Sequence, residues 1–215
     1  YDQSGEIKTE TVAFETWFGD SKVVDADGKP LVVYHGTKKA IEAFDPTVSG
    51  VTSILGKAFE VKRQGFYFAE KEGFAAGFAN QDGRVGSGTI IPTYLAISNP
   101  LDVTSTDNAS VRRLDAVIAK ASEIDPEIDW SGHRLAGYDS FWELLDNEAG
   151  GAVFVQAMQE LGYDGIKMIE PDIETADRSY TPSDEGAVTW VAFSPMQIKS
   201  VNNRGTFDAN DPRIL

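Results

Sequence analysis

Leu31-Val32-Val33-Tyr34-His35-Gly36-Thr37 is an apolar, β-branched run that ends in a histidine and is released by a glycine. In a strand, the two-residue period puts Leu31, Val33 and His35 on one face. An imidazole therefore closes a hydrophobic row at the point where the chain leaves the strand. Just upstream, Lys22 to Val24 reads as a partner strand, joined to Pro30–His35 by the turn Asp25-Ala26-Asp27-Gly28. Before that, Thr11 to Phe18 reads as a short helix carrying Phe14, Trp17 and Phe18 and ended by Gly19.

Downstream, Thr37 to Gln64 has scattered apolar residues and little period, so it is expected to be partly irregular, as functional loops of this length are. Gly65-Phe66-Tyr67-Phe68-Ala69 is a short aromatic strand, and Glu70 to Asn80 a helix with Phe74 and Phe78 four apart on one face. Thr89 to Ile97 is a strand in which Pro92 marks an edge or a bulge. Helices are predicted over Ser110–Ile124, with Ser110 as N-cap, over Gly137–Asn147, and over Ala152–Leu161, closed by Gly162. Strands at Gly165–Ile169 and Ala187–Phe193 flank a polar loop. In the second, Val188, Trp190 and Ala192 share one face, and Thr189, Val191 and Phe193 the other. The result is an α+β domain over 11–207, with a helical insert near 105–161, a polar leader 1–10 and a polar tail 208–215 expected on the surface.

A chain of 215 residues with 41% hydrophobic and 25% charged residues is long enough for one well-cored domain. No apolar run approaches the roughly 20 residues that cross a bilayer, and the start lacks the basic and apolar regions of a signal peptide. A polar opening at Tyr1 suggests a piece of a longer protein. The absence of cysteine excludes disulfides, thiolate catalysis and sulfur-ligated metals, and with only His35 and His133 no metal is expected. A net charge of −15 argues against broad binding to nucleic acid or to an anionic membrane. Against that background, Lys38, Lys39, Lys57, Lys62 and Arg63 face only Glu42, Asp45 and Glu60 between Gly36 and Gln64. Such clusters are often plain solvated charge, but this one suits a pyrophosphate.

A strand-end histidine and glycine, a glycine-flanked Tyr-Phe pair about thirty residues on, and then an aromatic helix form an ordered set. The blocks are Tyr34-His35-Gly36-Thr37, Gly65-Phe66-Tyr67-Phe68-Ala69 and Ala75 to Phe78. Their order resembles the ADP-ribosyltransferase superfamily of the diphtheria-toxin and poly-ADP-ribose-polymerase type. The chain is more similar still to the ADP-ribosyltransferase domains of phage and mobile-element polyvalent proteins. That similarity runs from Trp17 to about Phe207 and includes Trp17-Phe18-Gly19-Asp20-Ser21, Ser98-Asn99-Pro100-Leu101, Gly162-Tyr163-Asp164-Gly165-Ile166, Phe193-Ser194-Pro195-Met196-Gln197 and Asn203-Arg204-Gly205-Thr206-Phe207.

The resemblance implies a split β-sheet core and NAD as cosubstrate without a metal. It implies cleavage at the nicotinamide–ribose bond and transfer of ADP-ribose to a macromolecule, a protein in preference to nucleic acid. His35, Tyr67 and Thr189 take the three signature positions, and NAD is expected on His35, Gly36, Thr37, Arg63, Tyr67, Phe68, Ala75 and Phe78. In that arrangement His35 bonds the ribose hydroxyl, the Gly36 backbone and Thr37 hydroxyl meet the carboxamide, and Tyr67 and Phe78 sandwich the ring. Taken alone, a strand-end histidine or a four-apart aromatic pair is more often structural; the order of the blocks shifts that balance.

The third position departs from the glutamate-bearing members, because Thr189 stands where the carboxylate would. Threonine offers only neutral hydrogen bonds, which fits transfer of single units and not chain elongation. Asp184 and Glu185 are possible substitutes, Gln197 a candidate contact, Asp164 a turn residue and His133 a surface residue. The resemblance further implies a phage- or mobile-element-borne effector or toxin. Its expected site of action is the bacterial cytoplasm, reached by injection or secretion, with no membrane partner. NAD hydrolysis, or an inactive module that binds NAD or ADP-ribose, are the alternatives. An RNA 2′-phosphotransferase would need more histidines than the chain has.

Overall fold

The computed structural model describes residues 8–38, 40–47, 50–54, 57–61, 64–79, 88–105, 107–130, 145, 150–170 and 187–215. Seven strands form one mixed sheet: β1 (Val33–Thr37), β4 (Phe66–Ala69), β5 (Thr89–Leu95), β6 (Pro100–Asp102), β7 (Gly165–Glu170), β8 (Ala187–Ala192) and β9 (Ile198–Ser200). Across the sheet their order is β6-β7-β8-β4-β1-β5-β9. The segment expected to be irregular holds a separate antiparallel ribbon, β2 (Gly50–Ile54) with β3 (Lys57–Val61). Its strands are too short, and its apolar residues too scattered, to announce themselves by period. The α-helices whose bounds fall among the described residues are α1 (Val12–Phe18), α2 (Glu72–Ala79), α3 (Asn108–Ile124) and α4 (Gly150–Glu160).

Both faces of the sheet are covered. Helices α3 and α4, the insert between β6 and β7, pack Val117, Ile118, Phe154 and Met158 against Leu101, Ile166, Met168 and Val191. The opposite face buries Val33, Phe68, Leu95, Trp190 and Ile198 beneath Val23, Phe44 and Ile214. Strand β8 serves both sides by alternation, as its sequence predicts: Trp190 and Ala192 point one way and Val191 the other. The Gly162 cap is present, at φ +88°.

Several local expectations change. The hairpin before His35 shrinks to one bridge, Val24 to Pro30, and the strand proper starts at Val33. Lys22 N–H is instead drawn to the Ile97 carbonyl at 2.7 Å. Pro92 lies in a strand paired on both sides, not at an edge. Its carbonyl accepts from Val201 N–H just past the end of β9, and since N and O of an antiparallel residue face the same side, its missing donor faces the point where the ladder stops. Helix α3 begins earlier than expected, capped by Asp107, whose carboxylate accepts from Ala109 and Ser110 N–H at 2.9 and 2.8 Å. Ser110 is instead buried, its hydroxyl accepting from Arg113 at 2.8 Å. The helix expected over Gly137–Asn147, apart from Leu145, lies outside the described residues.

The tail lies on the surface, as expected, and is anchored through Asn203, Phe207 and Ile214. Asn203, fully buried, accepts from the N–H groups of Gly205, Thr206 and Phe207 at 3.0, 3.1 and 3.3 Å and donates to the Ile214 carbonyl at 3.2 Å. That cluster holds Phe207 at φ 37° against Phe14 and Trp17 of α1, whose indole donates to the Met196 carbonyl at 3.0 Å. Lys199 donates to the Asp211 and Arg213 carbonyls, and Ile214 N–H reaches the Glu42 carbonyl at 2.9 Å. One buried isoleucine among polar neighbours is a weak signal in sequence. Asn203→Ala, which strands buried N–H groups, is expected to cost about 2 kcal/mol in urea denaturation; an unchanged midpoint would remove the residue from the tail's anchorage.

Candidate active site

The sheet opens between β1 and β4. Strand β1 pairs with β5 along its whole length, from Val33 opposite Thr93 to Thr37 opposite Thr89, but meets β4 at one rung, Tyr34 opposite Ala69. Past that rung the backbone ladder ends and a side chain spans the gap: His35 Nδ1 lies 2.8 Å from the Tyr67 carbonyl. A cleft of about 680 Å³ occupies the opening. Because the strands part there, residues from both faces of the sheet border one cavity.

The His35 bond fixes its chemistry. A carbonyl can only accept, so Nδ1 carries the hydrogen and Nε2 keeps a lone pair in the neutral ring. The ring is framed by Phe44, edge-on at 4.9 Å, and Phe68 at 5.5 Å. Burial among these groups lowers the imidazole pKa, and the hydrogen bond to the Tyr67 carbonyl opposes the shift without cancelling it. The site is thus built around a neutral histidine that accepts. Between the ordinary value of about 6.5 and the depressed folded value, the unfolded chain takes up a proton that the folded chain refuses. This residue's share of stability is therefore present above the ordinary value and lost as pH falls toward the folded one. A two-dimensional NMR titration should place the His35 ring below the ordinary value; a midpoint at or above it would contradict the neutral ring.

The expected residues converge. His35, Gly36, Thr37, Tyr67, Phe68, Ala75, Phe78 and Thr189 all border the cleft. Three do so differently from the expectation. Phe68 is fully buried, its ring packed with Phe44 and His35, so its side chain supports the histidine instead of facing a ligand. The bare Cα of Gly36 is spent on α2: a Cβ there would lie 1.9 Å from the Ala75 carbonyl oxygen. Ala75 in turn is 2% exposed, held against that glycine. Tyr67 and Phe78 are half-buried on the cleft wall, Phe78 edge-on to Phe74 at 5.4 Å. Arg63, with Lys39 and Lys62, lies outside the described residues; of the basic cluster, Lys38 stands at the cleft.

Thr189 sits between Ala69 on β4 and Met168 on β7. It is 2% exposed, and among the described residues its hydroxyl has no hydrogen-bond partner. A buried hydroxyl left this way costs roughly 1–3 kcal/mol, a debt that a bound ligand can cancel. Gln197 belongs elsewhere. Its carbonyl accepts from Phe193 and Ser194 N–H at 3.0 and 2.9 Å, and its amide donates to the carbonyls of Ala96 and Asp164 at 3.2 and 2.7 Å. It ties a turn together and is not a ligand contact. Asp164 is the expected turn residue, accepting from Ser98 and Asn99 N–H at 2.8 and 2.7 Å. Asp184, Glu185 and His133 lie outside the described residues.

Sequence reasoning passed over Phe44, Phe193 and Glu170, which also border the cleft. Phe44 sits in an aperiodic segment, and Glu170 reads as the first residue of a polar loop when it is the last of β7. For Glu170, the strand's alternation carried one residue further was the available signal. Among the described residues no group of His, Asp and Glu could hold a metal ion, and no helix is long and apolar enough to cross a membrane.

Neither the curated proteins nor the solved structures compared with the chain gave a match. The family model of ADP-ribosyltransferases in polyvalent proteins matches residues 25–207, a span that contains the whole split sheet. By that match, on a sheet that opens at its histidine strand, the chain belongs to the ADP-ribosyltransferases of polyvalent proteins.

Proposed function

We propose that the chain is a mono-ADP-ribosyltransferase that binds NAD in the cleft between β1 and β4, breaks the nicotinamide–ribose bond and hands ADP-ribose to a protein. The observation that carries this is His35 bridging the split, with a neutral acceptor nitrogen beside an aromatic-walled cavity. A volume of about 680 Å³ is suited to a small-molecule ligand. Nicotinamide lies against Tyr67 and Phe78, the ribose hydroxyl donates to His35 Nε2, and Thr37 and the Gly36 backbone serve the carboxamide. Lys38 at the rim attracts the pyrophosphate.

In the reaction the C1′–N bond breaks and its electron pair leaves with nicotinamide, which turns from a cation into a neutral ring. Positive charge passes to the ribose. The acceptor's lone pair then closes on C1′ and its proton goes to solvent. Fixing the ring and ribose in line converts binding into rate. The neutral Thr189 favours one transfer per acceptor over chain growth. Membership among polyvalent proteins supports a mobile-element setting and a place in a longer protein; an effector role in the bacterial cytoplasm is part of the proposal.

The test is incubation with adenylate-labelled NAD and bacterial extract. Label on a protease-sensitive macromolecule is expected. Free nicotinamide with no label transfer would replace this proposal with NAD hydrolysis, and binding with neither outcome would leave an inactive NAD module.

A further inference from the structure

Charge developing on the ribose calls for a negative partner, which Thr189 cannot supply. We propose that Glu170 is the carboxylate that faces the ribose cation in this cleft, an inference that rests on the ADP-ribosyl transfer reading above. Glu170 closes β7 opposite Ala187 on β8, while Met168 stands opposite Thr189. Residues two apart on a strand share a face, so Glu170 and Thr189 project from the same side as diagonal neighbours. At about 7–8 Å between backbones, such a pair lies within reach of a long side chain. Both border the same cavity.

Among the described residues, the other carboxylate that borders the cleft is Asp45, which stands in the segment between β1 and β2 and not beside Thr189 on the sheet. Glu70, at the end of β4, accepts from the Trp190 indole at 2.9 Å and so serves the opposite face of the sheet. Glu170 thus moves the negative charge one strand over from the signature position, with Thr189 beside it to hydrogen-bond the same substrate. The carboxylate exchanges no proton in this step. It lowers the barrier as the C1′–N bond opens and positive charge builds at the ribose.

The decisive experiment compares nicotinamide release and calorimetric NAD binding for the full chain, Glu170→Gln and Glu170→Asp, with thermal melts of each. Glu170→Gln is expected to lower kcat about a hundredfold while the Kd for NAD stays within threefold and Tm is unchanged. Glu170→Asp should recover part of the rate. A Gln variant with kcat within threefold of wild type overturns the proposal, as does a parallel loss of NAD binding and rate, which would mark a structural or ground-state role. A wild-type chain that releases no nicotinamide overturns the transfer reading itself, and that outcome is visible before any variant is compared.

Discussion

His35→Ala is expected to cut nicotinamide release about a thousandfold, within the 10²–10⁴ range for loss of a positioned catalytic group. Two functions vanish together. The bridge to the Tyr67 carbonyl at 2.8 Å crosses the opening where the ladder has stopped after one rung. The neutral Nε2 takes its acceptor character from that bond and from burial. His35→Gln separates the two: its amide can donate to Tyr67 while its carbonyl oxygen faces the ribose, so about a tenth of the wild-type rate should return. Turnover by His35→Ala within tenfold of wild type would remove the histidine from the chemistry. Loss of rate in both variants with intact NAD binding would show that geometry finer than donor and acceptor count is required.

Much of this was legible in the sequence because the informative residues sit on short, strongly patterned strands. Alternation in Leu31–His35 placed the histidine on the face of Val33, and alternation in Ala187–Phe193 separated Trp190 from Thr189; the packing agrees with both. The cleft residues could be gathered by resemblance, but how each borders the cavity could not. Phe68 looks like a ligand aromatic until its ring is found behind the imidazole. The Asn203–Phe207 and Gln197 motifs look available for a site, yet their polar atoms are consumed in holding turns. Backbone N–H groups donate to those side-chain oxygens and backbone carbonyls accept from their amides, and backbone is invisible to residue-type patterns. Glu170 was hidden for a different reason, since a charged residue at a strand's last position looks like the start of a loop.

Gly36 is where sequence and structure offer rival physical explanations, and Gly36→Ala decides between them. A glycine beside the histidine suggests a backbone that a ligand must approach closely. In the structure the missing side chain faces α2, where a Cβ would meet the Ala75 carbonyl oxygen at 1.9 Å and the Ala79 nitrogen at 3.0 Å. Gly88, just before β5, faces the same helix, with a Cβ there 2.1 Å from the Ala79 carbonyl oxygen. Helix α2 therefore lies with its backbone against two glycines, which brings Phe74 and Phe78 to the cleft wall. Neither contact can be relieved by rotating a side chain, because the atoms met belong to the helix backbone. Overpacking of this kind costs typically 1–3 kcal/mol and occasionally more, so Gly36→Ala is expected near the upper end, about 3 kcal/mol in urea denaturation, with weakened NAD binding as Phe78 is displaced. Gly77→Ala on the same helix is the control: a Cβ there meets nothing within 4 Å, and helix propensity should raise stability by up to about 1 kcal/mol. A Gly36→Ala protein with wild-type stability that has lost only NAD binding would return this glycine to the ligand and deny it to the helix.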